Sequence, residues 1–188
     1  MNKLIQKGNS KLVDMYMFNI PANKEVCGRE CKGCYAIKEQ NRYPSVTPAR
    51  ESRYQATFQP DFVSRIVKEL NAVKTPFKYF RIHASGEFYS QLYIDNWYKI
   101  ASKLPNITFY AYTKRLREFD FTALKSLPNV IVIDSFHYGG LNYGKKDKAP
   151  SNAFVCPHQK GASVVCGKDC THCMQKSAQE IGVWFVQH

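Results

Sequence analysis

Tyr79-Phe80-Arg81-Ile82-His83-Ala84, then Ile107-Thr108-Phe109-Tyr110-Ala111-Tyr112-Thr113, then Val130-Ile131-Val132-Ile133-Asp134-Ser135, are three runs rich in β-branched and aromatic residues. Each reads as a strand. Residues 12–20 read as a strand before them and Val183–Val186 as one after. The intervening stretches carry helical periodicity. Phe62, Val63, Ile66, Val67, Leu70 and Val73 recur behind Asp61; Leu92, Trp97, Ile100, Ala101 and Leu104 follow Ser90; Phe121, Leu124 and Leu127 follow Asp120. Each set begins at a residue suited to cap a helix N-terminus. Ile82 to Phe109 is 27 residues and Phe109 to Val132 is 23, lengths that suit right-handed βαβ crossovers. The expected fold class is therefore α/β, with mostly parallel strands and helices on the outer face. A complete eight-unit barrel takes about 250 residues, so the expectation is a partial (β/α) barrel.

The 188 residues, 44% of them hydrophobic, suit one compact domain with a real core. Disorder is excluded by the apolar content, and no apolar run is long enough to span a membrane. Before residue 14 no stretch of seven or more apolar residues precedes a small-residue cleavage site, so a cytoplasmic location is expected. Residues 138–151, with Gly139, Gly140, Gly144 and the run Lys145-Lys146-Asp147-Lys148, form the longest loop-like stretch. It divides a main fold, 1–138, from a cysteine-rich C-terminal appendage, 139–188, packed on the same domain.

The net charge of +12 permits a polyanionic partner, nucleic acid or an acidic host protein. The excess falls from six in residues 1–75 to four in 76–128 and two in 129–188, so no basic arm stands out. Lys114, Arg115 and Arg117, beside Tyr110 and Tyr112, form the best candidate for phosphate contacts with stacking support. A capped or solvated basic turn explains that stretch equally.

Seven cysteines without an export signal point to reduced thiols that bind metal. Three lie close together at Cys27, Cys31 and Cys34, and four lie at Cys156, Cys166, Cys170 and Cys173. Three thiolates leave one iron of a 4Fe-4S cluster open, whereas zinc in a structural site wants a fourth ligand. Four thiolates close a site. The C-terminal set suits a second 4Fe-4S cluster, given Cys156-Pro157, or zinc. His158 and His172 adjoin these cysteines and are candidate replacements for one of them.

Cys27-x3-Cys31-x2-Cys34-Tyr35-Ala36 after a first strand, with Ala84-Ser85-Gly86-Glu87 at the end of the second, resembles the radical SAM superfamily over roughly residues 12–137. The resemblance implies S-adenosylmethionine bound at an open 4Fe-4S cluster on Cys27, Cys31 and Cys34, with Ser85, Gly86 and Glu87 meeting its methionine ammonium. It further implies an electron donor and a 5′-deoxyadenosyl radical acting on an unknown substrate. Thr113, Lys114, Asp134 and Ser135, at the ends of later strands, are further candidates to meet the cofactor. The wording of residues 81–90 and 108–114, with the C-terminal Cys-Pro, also resembles small phage-encoded proteins of the gene-product-eighty-eight family. That likeness implies a viral origin and the host cytoplasm. The alternative to an enzyme is a non-catalytic basic module, stiffened by metal, that binds nucleic acid or a host protein.

Overall fold

The computed structural model describes residues 3–9, 11–29, 34–135, 143–144, 149, 151, 153–157 and 163–186. In chain order the elements are β1 (Gln6–Lys7), β2 (Met15–Phe18), α1 (Lys24–Cys27), α2 (Tyr35–Arg42), α3 (Val46–Ala56), α4 (Phe62–Asn71), β3 (Tyr79–Ile82), α5 (Gln91–Ser102), β4 (Thr108–Thr113), α6 (Thr122–Ser126) and β5 (Val130–Asp134). The C-terminal part adds β6 (Tyr143–Gly144), β7 (Phe154–Val155), α7 (Ala178–Ile181) and β8 (Val183–Val186). Strands β2 to β5 run parallel in sequence order, with β1 antiparallel on the outer side of β2. The fold is α/β with a mostly parallel central sheet, and among the described residues it does not close into a barrel.

Strand alternation fixes the two layers, because successive side chains leave a strand on opposite faces. Phe18, Phe80, Ile82, Phe109, Ala111, Val130 and Val132 point to one face and meet Phe62, Ile66, Leu70, Trp97, Ile100 and Leu124 from the helices. Trp97 lies at the centre, edge-on to Phe18 and Phe62. Met15, Tyr79, Tyr110, Ile131 and Ile133 leave the other face and pack on Cys156, Met174, Ala178 and Val183. The expected appendage is thus the second layer of the core, buried on the sheet face opposite the helices. The expected last strand, β8, joins β6 and β7 in a separate parallel sheet.

Two expectations are corrected in detail. The strand read over residues 12–20 shortens to β2, since Asp14 has φ 54°, a left-handed value that breaks extended pairing. Asp61 does not cap α4 with its side chain; its carbonyl accepts from Arg65 N and Ser64 Oγ instead. Ser90 does cap α5, accepting from Tyr93 N at 3.3 Å. Helices α2 and α3 carry no strong apolar stripe. They are joined by the buried Arg50, whose Nη1 donates to Ala36 O and Gln40 Oε1 and whose Nη2 pairs with Glu39.

Candidate functional site

The C-terminal ends of β2, β3 and β4 are tied together by side chains from the loops that follow them. Asn19 Oδ1 accepts from the backbone N–H groups of Ala84 and Ser85, at 2.8 and 3.1 Å. Ser85 Oγ donates to Ile20 O, and Ile20 N donates to Ser85 O. Gly86 has φ 91°, and a Cβ there would stand 2.3 Å from Ile20 Cγ1, so the tight crossing of these loops requires glycine. Ser85 and Gly86 thus hold one strand end against its neighbour.

Glu87 extends the same network to β4. Its Oε1 accepts from Thr113 Oγ1 at 2.7 Å and from Phe88 N at 3.0 Å, and its Oε2 accepts from Lys114 N at 2.8 Å. Burial pushes this carboxyl up; the bonds from Lys114, Thr113 and Phe88 and the Arg115 guanidinium oppose that by favouring the ionised form. Thr113 Oγ1 also accepts from Arg115 N. Of the expected cofactor contacts, Ser85, Gly86, Glu87, Thr113 and Lys114 therefore converge, and what the structure shows them holding is one another. Asp134 and Ser135 lie at the end of β5, where Ser135 N donates to Thr113 O.

The described residues on either side of the first cysteine segment meet these strand ends. Arg115 Nη1 donates to Cys27 O at 2.8 Å, and Arg29 pairs with Glu118 at 2.5 Å. Gly28, at φ 69°, makes room for that guanidinium: a Cβ would stand 1.7 Å from Arg115 Nη1. Tyr35 OH donates to Ala84 O. Cys27 ends α1 and Cys34 precedes α2, while Cys31 lies outside the described residues.

The four C-terminal cysteines come together on the other face of the sheet. Cys166 is stitched to the N-terminal hairpin, its N–H donating to Lys11 O and its carbonyl accepting from Val13 N. Gly167, at φ 90°, turns the chain so that its N–H meets Cys170 O at 3.0 Å. Cys156 N donates to Trp184 O. All four are thiols rather than disulfides. Burial pushes the Cys173 thiol up to about 11; a hydrogen bond with Tyr112 opposes this, and the charges of Cys156, Cys166 and Cys170 add to it. Burial likewise raises Cys166, which also feels Cys156 and Cys170. Even so, among the described residues no three cysteine, histidine or carboxylate groups stand at metal-ligating spacing. Of the neighbouring histidines, His172 stacks on Phe154 with ring centroids 3.7 Å apart, and His158 lies outside the described residues.

The expected phosphate-binding stretch is corrected in part. Arg115 is buried in the strand-end network, and Tyr110 lies under the C-terminal layer, its OH donating to Met15 Sδ at 3.4 Å. Neither is placed to stack on a base. Two important residues were not singled out by motif reasoning. Asn19 ties its own loop to the loop after β3 and to Gln6 of β1, and carries no periodic signal. Tyr93 meets the buried His83 Nε2 at 2.8 Å, and His83 has φ 63°.

Residues 2–182 match the sequence profile of the family described as Gene product 88. The Gene 88 protein of Mycobacterium phage L5 is 36% identical over 58 residues, which is 31% of this chain and 24% of that protein. The matched region thus spans about a quarter of that relative. No solved structure matches. The radical SAM assignment is overturned by the family match, and with it go the grounds for expecting S-adenosylmethionine, an electron donor and an open 4Fe-4S cluster at Cys27, Cys31 and Cys34. The 4Fe-4S expectation for the C-terminal set loses its support as well, since the described thiols do not form a ligand group. The chain belongs to the Gene product 88 family, a phage family distinct from the radical SAM enzymes.

Proposed function

We propose that the protein is a non-catalytic binding module, stiffened by its C-terminal layer, that engages nucleic acid through its basic surface. The observation that carries this reading is the position of the C-terminal layer. In parallel α/β folds the chemistry gathers at the C-terminal strand ends and, in barrels, beside the inner sheet face. Here that second face is packed by Cys156, Met174, Ala178 and Val183, and the strand-end carboxylate of Glu87 accepts three internal hydrogen bonds. Both features serve rigidity.

Nucleic acid is favoured as partner by the net charge of +12 and by exposed groups on α2 and just beyond it. Tyr35, Lys38, Arg42 and Tyr43 are all exposed, with the Arg42 guanidinium 5.5 Å from the Tyr43 ring centre. Basic groups interleaved with aromatic faces suit phosphate contact with base stacking. Among the described residues no helix is long and apolar enough to cross a membrane.

Titration of the full-length protein against single-stranded and duplex DNA and RNA across a salt series tests the partner. The expected result is affinity that falls steeply and log-linearly with salt, reduced by Arg42→Ala with Tyr43→Ala. Absence of binding at low salt overturns the nucleic-acid reading.

A further inference from the structure

Helix α2 is fastened to the fold along one side and leaves a basic, aromatic stripe on the other. Ala36 is buried, the buried Arg50 donates to Ala36 O and Gln40 Oε1, and Gln40 Oε1 also accepts from Ala22 N at 2.7 Å. Tyr35, Lys38 and Arg42, at positions i, i+3 and i+7, fall along the opposite side and are exposed, with exposed Tyr43 directly after them. Glu39, the one carboxylate of α2, is engaged by Arg50. Lys38 and Arg42 stand one turn apart, and among the described residues neither is ion-paired. Like charges at this spacing destabilise a helix slightly, and a bound anion removes that repulsion.

Tyr35 sets this stripe apart from a merely solvated basic face. It is 62% exposed, yet its OH donates to Ala84 O in the loop after β3. The hydroxyl is thus occupied by the fold while the ring stays in solvent, held through its Cα on α2 and through its oxygen at the sheet end. Ordering a side chain costs rotamer freedom, and here the ring is ordered before any ligand arrives, which favours binding. Tyr43, 49% exposed, offers a second ring about 12 Å farther along at 1.5 Å per residue, with the Arg42 guanidinium 5.5 Å from its centre.

Phosphates of single strands and duplexes alike suit Lys38 and Arg42. Ring faces discriminate between the two. Bases inside a duplex are stacked on one another and present only their edges in the grooves, whereas an unpaired base can leave the stack and lie against an aromatic ring. We infer that α2 is a single-strand recognition surface, on which Tyr35, preorganised by its bond to Ala84, stacks on an unpaired base while Lys38 and Arg42 hold the neighbouring phosphates. This rests on the nucleic-acid reading and goes beyond it by assigning the form bound and the residue that selects it.

The test titrates the full-length protein, by fluorescence anisotropy, with a labelled oligonucleotide of mixed sequence. It is offered as DNA and as RNA, single-stranded and annealed to its complement, and the two chemistries show which strand is the stronger ligand. Single strands of at least one chemistry are expected to bind about tenfold or more tighter than their duplex at the same salt, and Tyr35→Ala to weaken that binding roughly tenfold. Because Tyr35 carries no charge, Tyr35→Ala should leave the slope of log affinity against log salt unchanged, while Lys38→Ala with Arg42→Ala lowers it by roughly one to two. Tyr35→Phe, which keeps the ring but frees it from Ala84, should fall between wild type and Tyr35→Ala. Duplexes bound as tightly as single strands in both chemistries, or Tyr35→Ala within about twofold of wild type on single strands, overturn the inference and leave nucleic-acid binding standing. Absence of binding to every form at low salt overturns both. Should Tyr35→Ala not fold, Tyr35→Trp decides: quenching of its added indole emission by saturating single strand supports stacking there, and emission that saturation leaves unchanged overturns it.

Discussion

His83 should make the fold acid-sensitive, and the size of the effect follows from its surroundings. The imidazole is almost wholly buried, stacked on Tyr93 and edge-on to Phe88, with Nε2 hydrogen-bonded to Tyr93 OH. Burial, helped by the nearby Arg81 charge, lowers its pKa from 6.5 to about 3. The unfolded chain therefore takes up a proton well before the folded one. Stability from this group is complete above about pH 6.5 and is lost progressively as pH falls toward about 3. Between pH 7.5 and pH 5 the loss is roughly 2 kcal/mol. Urea unfolding of wild type and His83→Asn at both pH values isolates it, because asparagine tolerates the left-handed backbone at this position. The variant loses the Tyr93 bond at both pH values, a constant cost of about 1–2 kcal/mol, but should lack the extra acid loss. The raised Glu87 carboxyl acts in the opposite sense, favouring the fold at low pH, and cancels in the comparison. An identical pH dependence in wild type and His83→Asn would refute the reasoning.

Glu87→Ala strands three donors, Thr113 Oγ1 and the N–H groups of Phe88 and Lys114, and should cost about 2–5 kcal/mol in urea unfolding; a change below about 0.5 kcal/mol would show that water replaces the carboxylate without loss. Gly28→Ala must displace the Arg115 guanidinium and strain a backbone at φ 69°, so a destabilisation of about 1–3 kcal/mol is expected by thermal unfolding. Asn19→Ala removes the acceptor of two backbone N–H groups and a donor to Gln6; amide hydrogen exchange at Ala84 and Ser85 should accelerate while that at Ile100 is unchanged.

The parallel sheet was legible because strands buried on both faces read as dense apolar runs, as residues 79–84, 107–113 and 130–135 do. Helices α4, α5 and α6 were legible from apolar spacing behind Asp61, Ser90 and Asp120. Helices α2 and α3 were not, since what joins them is the buried Arg50, a polar contact without a period. The convergence of Ser85, Glu87 and Thr113 followed from strand-end placement. What they do there did not, because a motif records residue types and spacing, not which donors the fold supplies. Glu87 was matched to a ligand ammonium by such a motif, and its three internal partners come from a strand 26 residues away and from its own loop. The C-terminal segment read as an appendage because its apolar residues, Phe154, Met174, Val183 and Phe185, are scattered between cysteines and turns. Only the sheet face they cover reveals them as a core layer.

Binding to nucleic acid tests the central claim most directly. The full-length protein is titrated with labelled single-stranded and duplex DNA and RNA across a salt series, beside the double variant Arg42→Ala with Tyr43→Ala. The account predicts affinity that falls log-linearly as salt rises and that the double variant weakens. No binding at low salt, or binding that the double variant leaves unchanged, would contradict it.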